Sequence, residues 1–242
     1  GILTGGTIRT TAAGGGAVTL TGTANAADGG IVALGGNITS AGGEIRMVST
    51  AGGIALASGS TLGGAGSGDV LVKTNGGSNI DFSGASVSAG ANALTLALNG
   101  GTVSDNNQPI TAGKLRLLGS GTYNLGGTNN AVGTLASNVT GPINVRSTGA
   151  LAIGSVSSFD GSASTATNGI VAGSNVTLAA SGTIAVNAMT LSGGTLSTTN
   201  DISIAGPVAW TGGTLGGSGA ATIGASGTLT VSGAAAKTLD SR

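Results

Sequence analysis

Short triplets of the form apolar-x-apolar, bounded by Gly, Asn, Ser or Asp, recur along almost the whole chain. The stretch from 174 to 194 contains three of them: VTL from Val176, IAV from Ile184 and MTL from Met189. Because side chains alternate between the two faces of a β-strand, each triplet predicts a short strand that buries its first and third residues. No charged amphipathic stretch is long enough to predict a helix.

The stronger triplets also recur at a higher level. They begin at residues 18, 45, 70, 94, 115, 143, 176, 202 and 229, and many are followed by a second triplet and then by a weaker strand. This spacing predicts about three short strands per turn, with a period of roughly 21–28 along the sequence and one longer turn. The extra length of that turn falls at 157–169, which predicts a loop insertion. Weaker strands with a single large apolar residue lie around Leu62, Val87, Leu135, Leu191 and Leu215.

Short strands joined by Gly-rich corners at such a period are typical of a parallel β-helix, in which stacked turns share one continuous core. The middle residues of most triplets are polar and are expected to face outward. Leu71 is an exception, and it predicts that its coil packs beneath a loop. An antiparallel sandwich remains an alternative, because the close spacing of the strands fits that fold too. We predict an all-β fold, a parallel β-helix (β-solenoid), as a single segment over residues 1–242.

Both ends of the sequence lie inside the strand pattern. The chain begins with GILTGGTIRT and ends with GTLTVSGAAAKTLDSR, and neither stretch resembles a polar cap. Solenoids require caps, because an uncapped end exposes core side chains and free strand edges. The expectation is therefore an uncapped fragment of a longer chain, or a unit that stacks end to end.

The composition excludes several classes of protein. The 242 residues include 50 Gly but only 3 Pro, which argues against collagen, and the apolar share of 39% argues against disorder. Eight basic and eight acidic residues give a net charge of zero and form no basic patch, so we expect no binding of nucleic acid. No apolar run approaches the roughly 20 residues of a membrane-spanning helix, so we expect no membrane insertion.

Candidate catalytic chemistry is sparse. The sequence has no His and no Cys, which excludes imidazole or thiolate metal ligands and the usual nucleophilic triads. Asp81 and Asp105, separated by one predicted turn, are the best candidates for a pair of acids on one face, as a polysaccharide-cleaving β-helix requires. A solvated strand or corner position is the simpler interpretation of each. The remaining carboxylates are Asp28, Glu44, Asp69, Asp160, Asp201 and Asp240.

Other motifs have simple structural interpretations. GGAGSGDVL at 63–71 resembles a Ca²⁺-binding nonapeptide, but it occurs once and its Asp is one position late, so a Gly-rich corner explains it better. Trp210 is expected in the core. Glu44 and Arg46 could form an exposed ion pair, which contributes about 0–1 kcal/mol to stability. Three matches to the N-glycosylation acceptor also fit a corner Asn followed by a strand; they begin at Asn37, Asn138 and Asn175.

Ranks of Thr-x-Thr on one solenoid face are the pattern of an ice-binding surface. Here the triplets at 21–23, 165–167 and 228–230 do not recur at one coil spacing, so a regular array is not expected. We therefore predict no catalytic residue, no cofactor-binding residue and no metal ligand, and no enzyme activity.

Three long stretches resemble the repeats of filamentous-haemagglutinin-like proteins and related autotransporter passengers. They are GGNITSAGGEIRMVSTAGGIALASGSTL at 35–62, GTYNLGGTNNAVGTLASNVTGPINVRSTGALAIGSV at 121–156 and GTLTVSGAAAKTLDSR at 227–242. The resemblance covers most of the chain but consists of degenerate repeats. The family's N-terminal secretion motif, of the Asn-Pro-Asn-Gly-Ile type, is absent from the sequence, as is a C-terminal membrane barrel, which fits an internal fragment of a shaft.

The resemblance implies a large bacterial surface or secreted protein with a right-handed β-helix, involved in adhesion or biofilm formation. It implies an extracellular location and, as partner, a host-cell, neighbouring-cell or matrix surface. The absence of Cys agrees with passage of an unfolded chain across an outer membrane. Two alternatives are a self-assembling extracellular fibre, whose ends join by strand addition, and a polysaccharide-degrading enzyme.

Overall fold

The computed structural model describes residues 2–4, 6–11, 14–23, 30–33, 36–64 and 66–242. Within these ranges the chain forms strands and turns, and no helix. The first ten strands are β1 (Ile2–Thr4), β2 (Ile8–Arg9), β3 (Val18–Gly22), β4 (Ile31–Ala33), β5 (Asn37–Thr39), β6 (Ile45–Ser49), β7 (Ile54–Leu56), β8 (Thr61–Gly63), β9 (Val70–Thr74) and β10 (Ile80–Asp81).

Longer strands follow in the middle of the chain. The next eight are β11 (Ser86–Ser104), β12 (Ile110–Leu125), β13 (Ala131–Val139), β14 (Ile143–Arg146), β15 (Ala152–Ile153), β16 (Ser155–Phe159), β17 (Ser164–Asn168) and β18 (Ile170–Ala172). The last ten are β19 (Val176–Ala179), β20 (Ile184–Val186), β21 (Met189–Leu191), β22 (Thr195–Ser197), β23 (Ile202–Ile204), β24 (Pro207–Trp210), β25 (Gly213–Gly216), β26 (Ala221–Ile223), β27 (Thr228–Val231) and β28 (Lys237–Asp240).

All of these strands except β16 and β17 belong to one parallel sheet, which winds into a solenoid of about 10 turns. Strand pairing divides the sheet into three faces. Face A consists of β1, β4, β7, β10, the ends of β11 and β12, β14, β19, β22, β25 and β28.

The other two faces are built in the same way. Face B consists of β2, β5, β8, the beginnings of β11, β12 and β13, β15, β20, β23 and β26. Face C consists of β3, β6, β9, the middle parts of β11 and β12, the rest of β13, β18, β21, β24 and β27. The predicted fold class, an all-β β-solenoid, is confirmed.

The turn at 174–194 is built as its three triplets predict. VTL lies in β19 on face A, IAV in β20 on face B and MTL in β21 on face C. Each strand buries its first and third residues. Alternation of small apolar and polar residues is therefore sufficient to specify one complete turn of this solenoid.

Several coils toward the C-terminal end are shorter than the first ones. On face C, Leu20 stands in register with Met47 in an early coil, and Met189 stands in register with Val208 in a late one. The late coil therefore contains fewer residues than the early coil. The expected period fits the first coils but is too long for several late ones, such as the coil from Met189 to Val208. It fits again at the end of the chain, where Leu215 stands in register with Leu239. Three residues expected to lead coils in line with Val18 do not lie on face C: Ile143 and Val176 lie on face A and Ile202 lies on face B.

This difference has a physical cause. The strands around Leu135 and Leu215 were expected to be weak because each carries one large apolar residue, yet each pairs on both sides as a full rung of a face. Small side chains fill the remaining inward space, so a rung does not need two large apolar residues.

Inward side chains of successive coils form one continuous apolar core. Tyr123 is fully buried there, and its hydroxyl accepts a hydrogen bond of 3.1 Å from the amide of Leu98. Trp210 is 9% exposed, packs in the same core and donates its indole N–H to the carbonyl of Gly213 at 3.2 Å. The prediction that Trp210 lies in the core is thus confirmed. At the last coil Ile223, Val231 and Leu239 are more than half exposed.

Candidate functional site

Asp81 and Asp105, the best pair of acids in the sequence, do not share one open face. Asp81 pairs in register with Ser104, and its carboxylate accepts hydrogen bonds from the amide of Ser83 and the side chain of Asn106. Asp105 is 4% exposed at the next corner, where its carboxylate accepts from the side chain of Asn130 at 2.6 Å. The amide of Gly127 donates to the same oxygen at 2.9 Å. Asp105 therefore ties two coils together at a corner.

Two further acids, Asp69 and Asp201, also connect neighbouring coils. Asp69, in the nonapeptide-like stretch, accepts the amide N–H of Ala93 at 2.9 Å, and Asp201 accepts that of Ala220 at 2.8 Å. In the part of the chain that the structure describes, no three His, Cys, Asp or Glu side chains cluster as metal ligands would. Asp28 lies outside the described residues.

The three glycosylation-like motifs occupy different positions. Asn175 is exposed, and its side-chain oxygen accepts the amide N–H of Thr195 from the next coil at 3.0 Å. Asn37 begins β5, and Asn138 lies inside β13 with an exposed side chain. Asn175 directly precedes β19 and fits the expected pattern of a corner Asn followed by a strand, whereas Asn138 lies within a strand.

The Thr-x-Thr triplets lie apart from one another. Thr21 is at one end of the solenoid in β3, and Thr228 is near the other end in β27. Thr165 and Thr167 belong to β17, outside the solenoid sheet. These triplets therefore form no common array.

A β-hairpin projects from the solenoid between face B and face C. Its strands β16 and β17 pair antiparallel, with Ser155 opposite Asn168 and Phe159 opposite Ser164. The turn closes with a hydrogen bond of 3.0 Å from the amide of Asp160 to the carbonyl of Ala163. Most of the stretch 157–169, expected as a loop, has this regular structure.

The hairpin lies on the outer surface of face C and crosses several coils. Val156 clusters with Ala93 and Ala136, and the hydroxyls of Ser158 and Thr95 are 2.6 Å apart. The guanidinium of Arg46 stacks 3.8 Å from the centre of the Phe159 ring. The outward positions in register on the five coils concerned are Arg46, Leu71, Thr95, Arg116 and Ala136.

Arg116 is the centre of this contact. Its side chain is 3% exposed, and every hydrogen bond that it makes goes to the hairpin within the described residues. It donates to the hydroxyls of Thr165 and Thr167 at 2.6 and 2.8 Å and to the carbonyl of Ser158 at 2.9 Å. Burial lowers the pKa of Arg116, and the charge of Asp160 opposes that shift.

Asp160 organises the turn of the hairpin. Its carboxylate accepts from the amides of Ser162 and Ala163 at 2.9 and 3.0 Å, and from the hydroxyl of Thr165 at 2.9 Å. The hydrogen bonds from these two backbone amides are the main reason why the pKa of Asp160 is well below its usual value. Thr165 thus accepts from Arg116 and donates to Asp160, which links the buried cation to the carboxylate.

Three residues singled out in the sequence, Glu44, Arg46 and Leu71, lie at the tip of the hairpin. Glu44 and Arg46 form an ion pair, and the arginine lies between that carboxylate and the Phe159 ring. Leu71 is 2% exposed although its position points outward, and it lies beside Phe159. The unusual apolar residue at that position was the one signal of a cover over face C.

An open groove of about 560 Å³ lies beside the hairpin turn. Asp160 and Ser162 form one wall, and the ends of four face C strands form the floor. Amide, hydroxyl and aliphatic groups line it, together with the ammonium of Lys73, which donates to the carbonyl of Asp160 at 3.3 Å. Sequence reasoning missed this groove because the hairpin brings together residues far apart in the chain.

The fold and these contacts were compared with known proteins. No family model, no curated protein and no solved structure matches the chain. Within the described ranges no helix is long and apolar enough to cross a bilayer.

Proposed function

We propose that this segment is the structural shaft of a large bacterial surface or secreted adhesin and acts as a stiff rod without catalytic activity. The observation that supports it best is the single apolar core that runs without a break through the stacked coils. A stack of about 10 coils at about 4.8 Å each is about 40–45 Å long. Such a rod holds a binding region away from the cell that carries it.

The distribution of polar groups agrees with a mechanical role. The carboxylates of Asp69, Asp105 and Asp201 all accept backbone amides of a neighbouring coil, so they hold the stack together. Extracellular location, adhesion and a cell or matrix surface as partner rest on the resemblance of the repeats alone and belong to the same proposal.

Force spectroscopy on the chain, held by its two ends, tests the shaft. A rod of stacked coils resists extension and then lengthens in steps that correspond to the contour length of one or a few coils. A chain that extends smoothly at low force contradicts the proposal. Filaments that grow with protein concentration favour the fibre instead, and turnover of any member of a polysaccharide panel favours the enzyme.

A further inference from the structure

The groove beside the hairpin has a regular floor. Two columns of residues run along the solenoid axis at one residue per coil, and strand register fixes their order. The inner column is Lys73, Ala97, Leu118 and Asn138. Two positions further along each strand, Asn99 stands in register with Ser120. Asn75 and Thr140 lie at the equivalent positions of the flanking coils and also line the groove, and these four residues form the outer column. Successive members are separated by one coil, about 4.8 Å.

Most of the polar side chains in this floor have unused hydrogen-bonding capacity. Within the described part of the chain, no side-chain hydrogen bond forms at Asn75, Asn99, Ser120, Asn138 or Thr140. The backbone beside them is occupied: the amides of Asn75 and Thr140 donate to Ser49 and Gly119 of neighbouring coils. The floor therefore offers side-chain amides and hydroxyls, and no free strand edge to pair with an extended peptide.

The chemistry of the lining selects the class of ligand. Amide and hydroxyl side chains both donate and accept, which matches the hydroxyl groups of a sugar. Leu118, which is half-buried, supplies aliphatic surface for the C–H groups of a sugar ring, with the largely buried Ala97 beside it. A polyanion needs several cations, and Lys73 is the one basic residue in the lining. Its ammonium already donates to the backbone carbonyl of Asp160 in the wall.

We infer that this groove binds a linear, uncharged oligosaccharide that lies along the solenoid axis. Each sugar unit contacts about one coil, with its hydroxyls on the outer column and its C–H face on the inner one. The hairpin turn limits the groove on one side. This inference goes beyond the shaft, because it places recognition on the side of the rod, and it does not depend on what the rod is attached to.

The test is saturation-transfer NMR and calorimetry on the whole chain of 242 residues. The probes are hexamers of cellulose, mannan, starch and N-acetylated chitin, with heparin and polygalacturonate fragments as acidic comparators and a Thr/Ser-rich peptide as a further comparator. We expect at least one neutral hexamer to bind. Asn99→Ala combined with Asn138→Ala should weaken that binding roughly tenfold or more, because two hydrogen-bonding groups are lost.

A matched control is Asn129→Ala, which removes an exposed amide in a turn away from the groove and should leave binding unchanged. Circular dichroism of both variants checks that the fold is intact. The inference is overturned if no neutral hexamer binds at millimolar concentration, if only acidic fragments or the peptide bind, or if the groove variant binds as tightly as the control. None of these results alters the expected behaviour of the chain under force, so the two proposals fail separately.

Discussion

The guanidinium of Arg116 donates a hydrogen bond of 2.6 Å to the hydroxyl of Thr165, which lies 49 residues further along the chain. One partner is on a rung of the solenoid and the other is on the hairpin that covers it. The hairpin thus binds to face C largely through one buried cation, since few apolar side chains lie between them.

Replacing Arg116 should release the hairpin. Arg116→Met removes the donors to Thr165, Thr167 and Ser158 and should destabilise the docked hairpin by about 2–3 kcal/mol. Limited proteolysis should then cut within 155–168, while the far-UV circular dichroism of the solenoid stays unchanged. Arg146→Met, at an exposed position on face A, is the control and should cut as slowly as the original chain. Equal cutting in both variants contradicts the role of Arg116.

The hairpin turn should respond to acid. The pKa of Asp160 is lower in the folded protein than in the unfolded chain, so its ionised form stabilises the turn above the usual aspartate pKa of about 3.9. That stabilisation is lost as the pH falls toward the lowered value. Amide exchange at Ser162 and Ala163, corrected for the intrinsic rate, should accelerate below about pH 4. In Asp160→Asn the exchange should be fast at neutral pH and lose this acid dependence.

The two candidate acids should behave differently on substitution. Asp105→Ala leaves the amide of Gly127 and the side chain of Asn130 without their buried acceptor and should destabilise the solenoid by about 2–3 kcal/mol. Asp81→Ala, at a less buried position, should cost less than about 1 kcal/mol. Urea unfolding midpoints of the two variants make the comparison. A larger loss at Asp81 would show that the corner contacts are unimportant.

A buried hydroxyl on face C offers a stabilising substitution. Ser137 stands in register with Leu117 and Ile170 in the core, and its hydroxyl has no hydrogen-bond partner among the described residues. Ser137→Ala removes an unpaired buried polar group and should raise the stability by about 1 kcal/mol. The melting temperature of this variant should be higher than that of the original chain. A lower melting temperature would indicate that the hydroxyl has a partner in solution.

Glycine at one corner is required for stacking. Gly194 has φ of 63°, and a β-carbon there would lie 2.3 Å from the carbonyl carbon of Ser174 on the preceding coil. Gly194→Ala should therefore destabilise the protein by at least about 2 kcal/mol. Gly182→Ala is the matched control, because a β-carbon at that position meets nothing within 4 Å. Similar urea midpoints for both variants would contradict the close approach at Gly194.

The sequence pattern predicts the solenoid well and the surface poorly. Alternation along 174–194 defines three strands of one turn, because burial of small apolar side chains has a period of two in every strand. The number of residues per coil is less predictable, since weak strands such as that around Leu215 count fully in the stack. The two hairpin strands, SVSSF and STATN, have no regular alternation of apolar residues. The sequence pattern therefore predicts neither the hairpin nor the groove beside it.

In a solenoid each coil interacts with its two neighbours, so stability is a sum of local terms and unfolding can travel coil by coil. The hairpin breaks this rule, because one covalent segment contacts the coils of Arg46, Thr95 and Arg116 together. We therefore expect those coils to open as one cooperative unit, whereas the coils after residue 170 should separate singly. Under tension the rod should then show two mechanical regimes: a clamped block that breaks in one event and a tail that unwinds progressively.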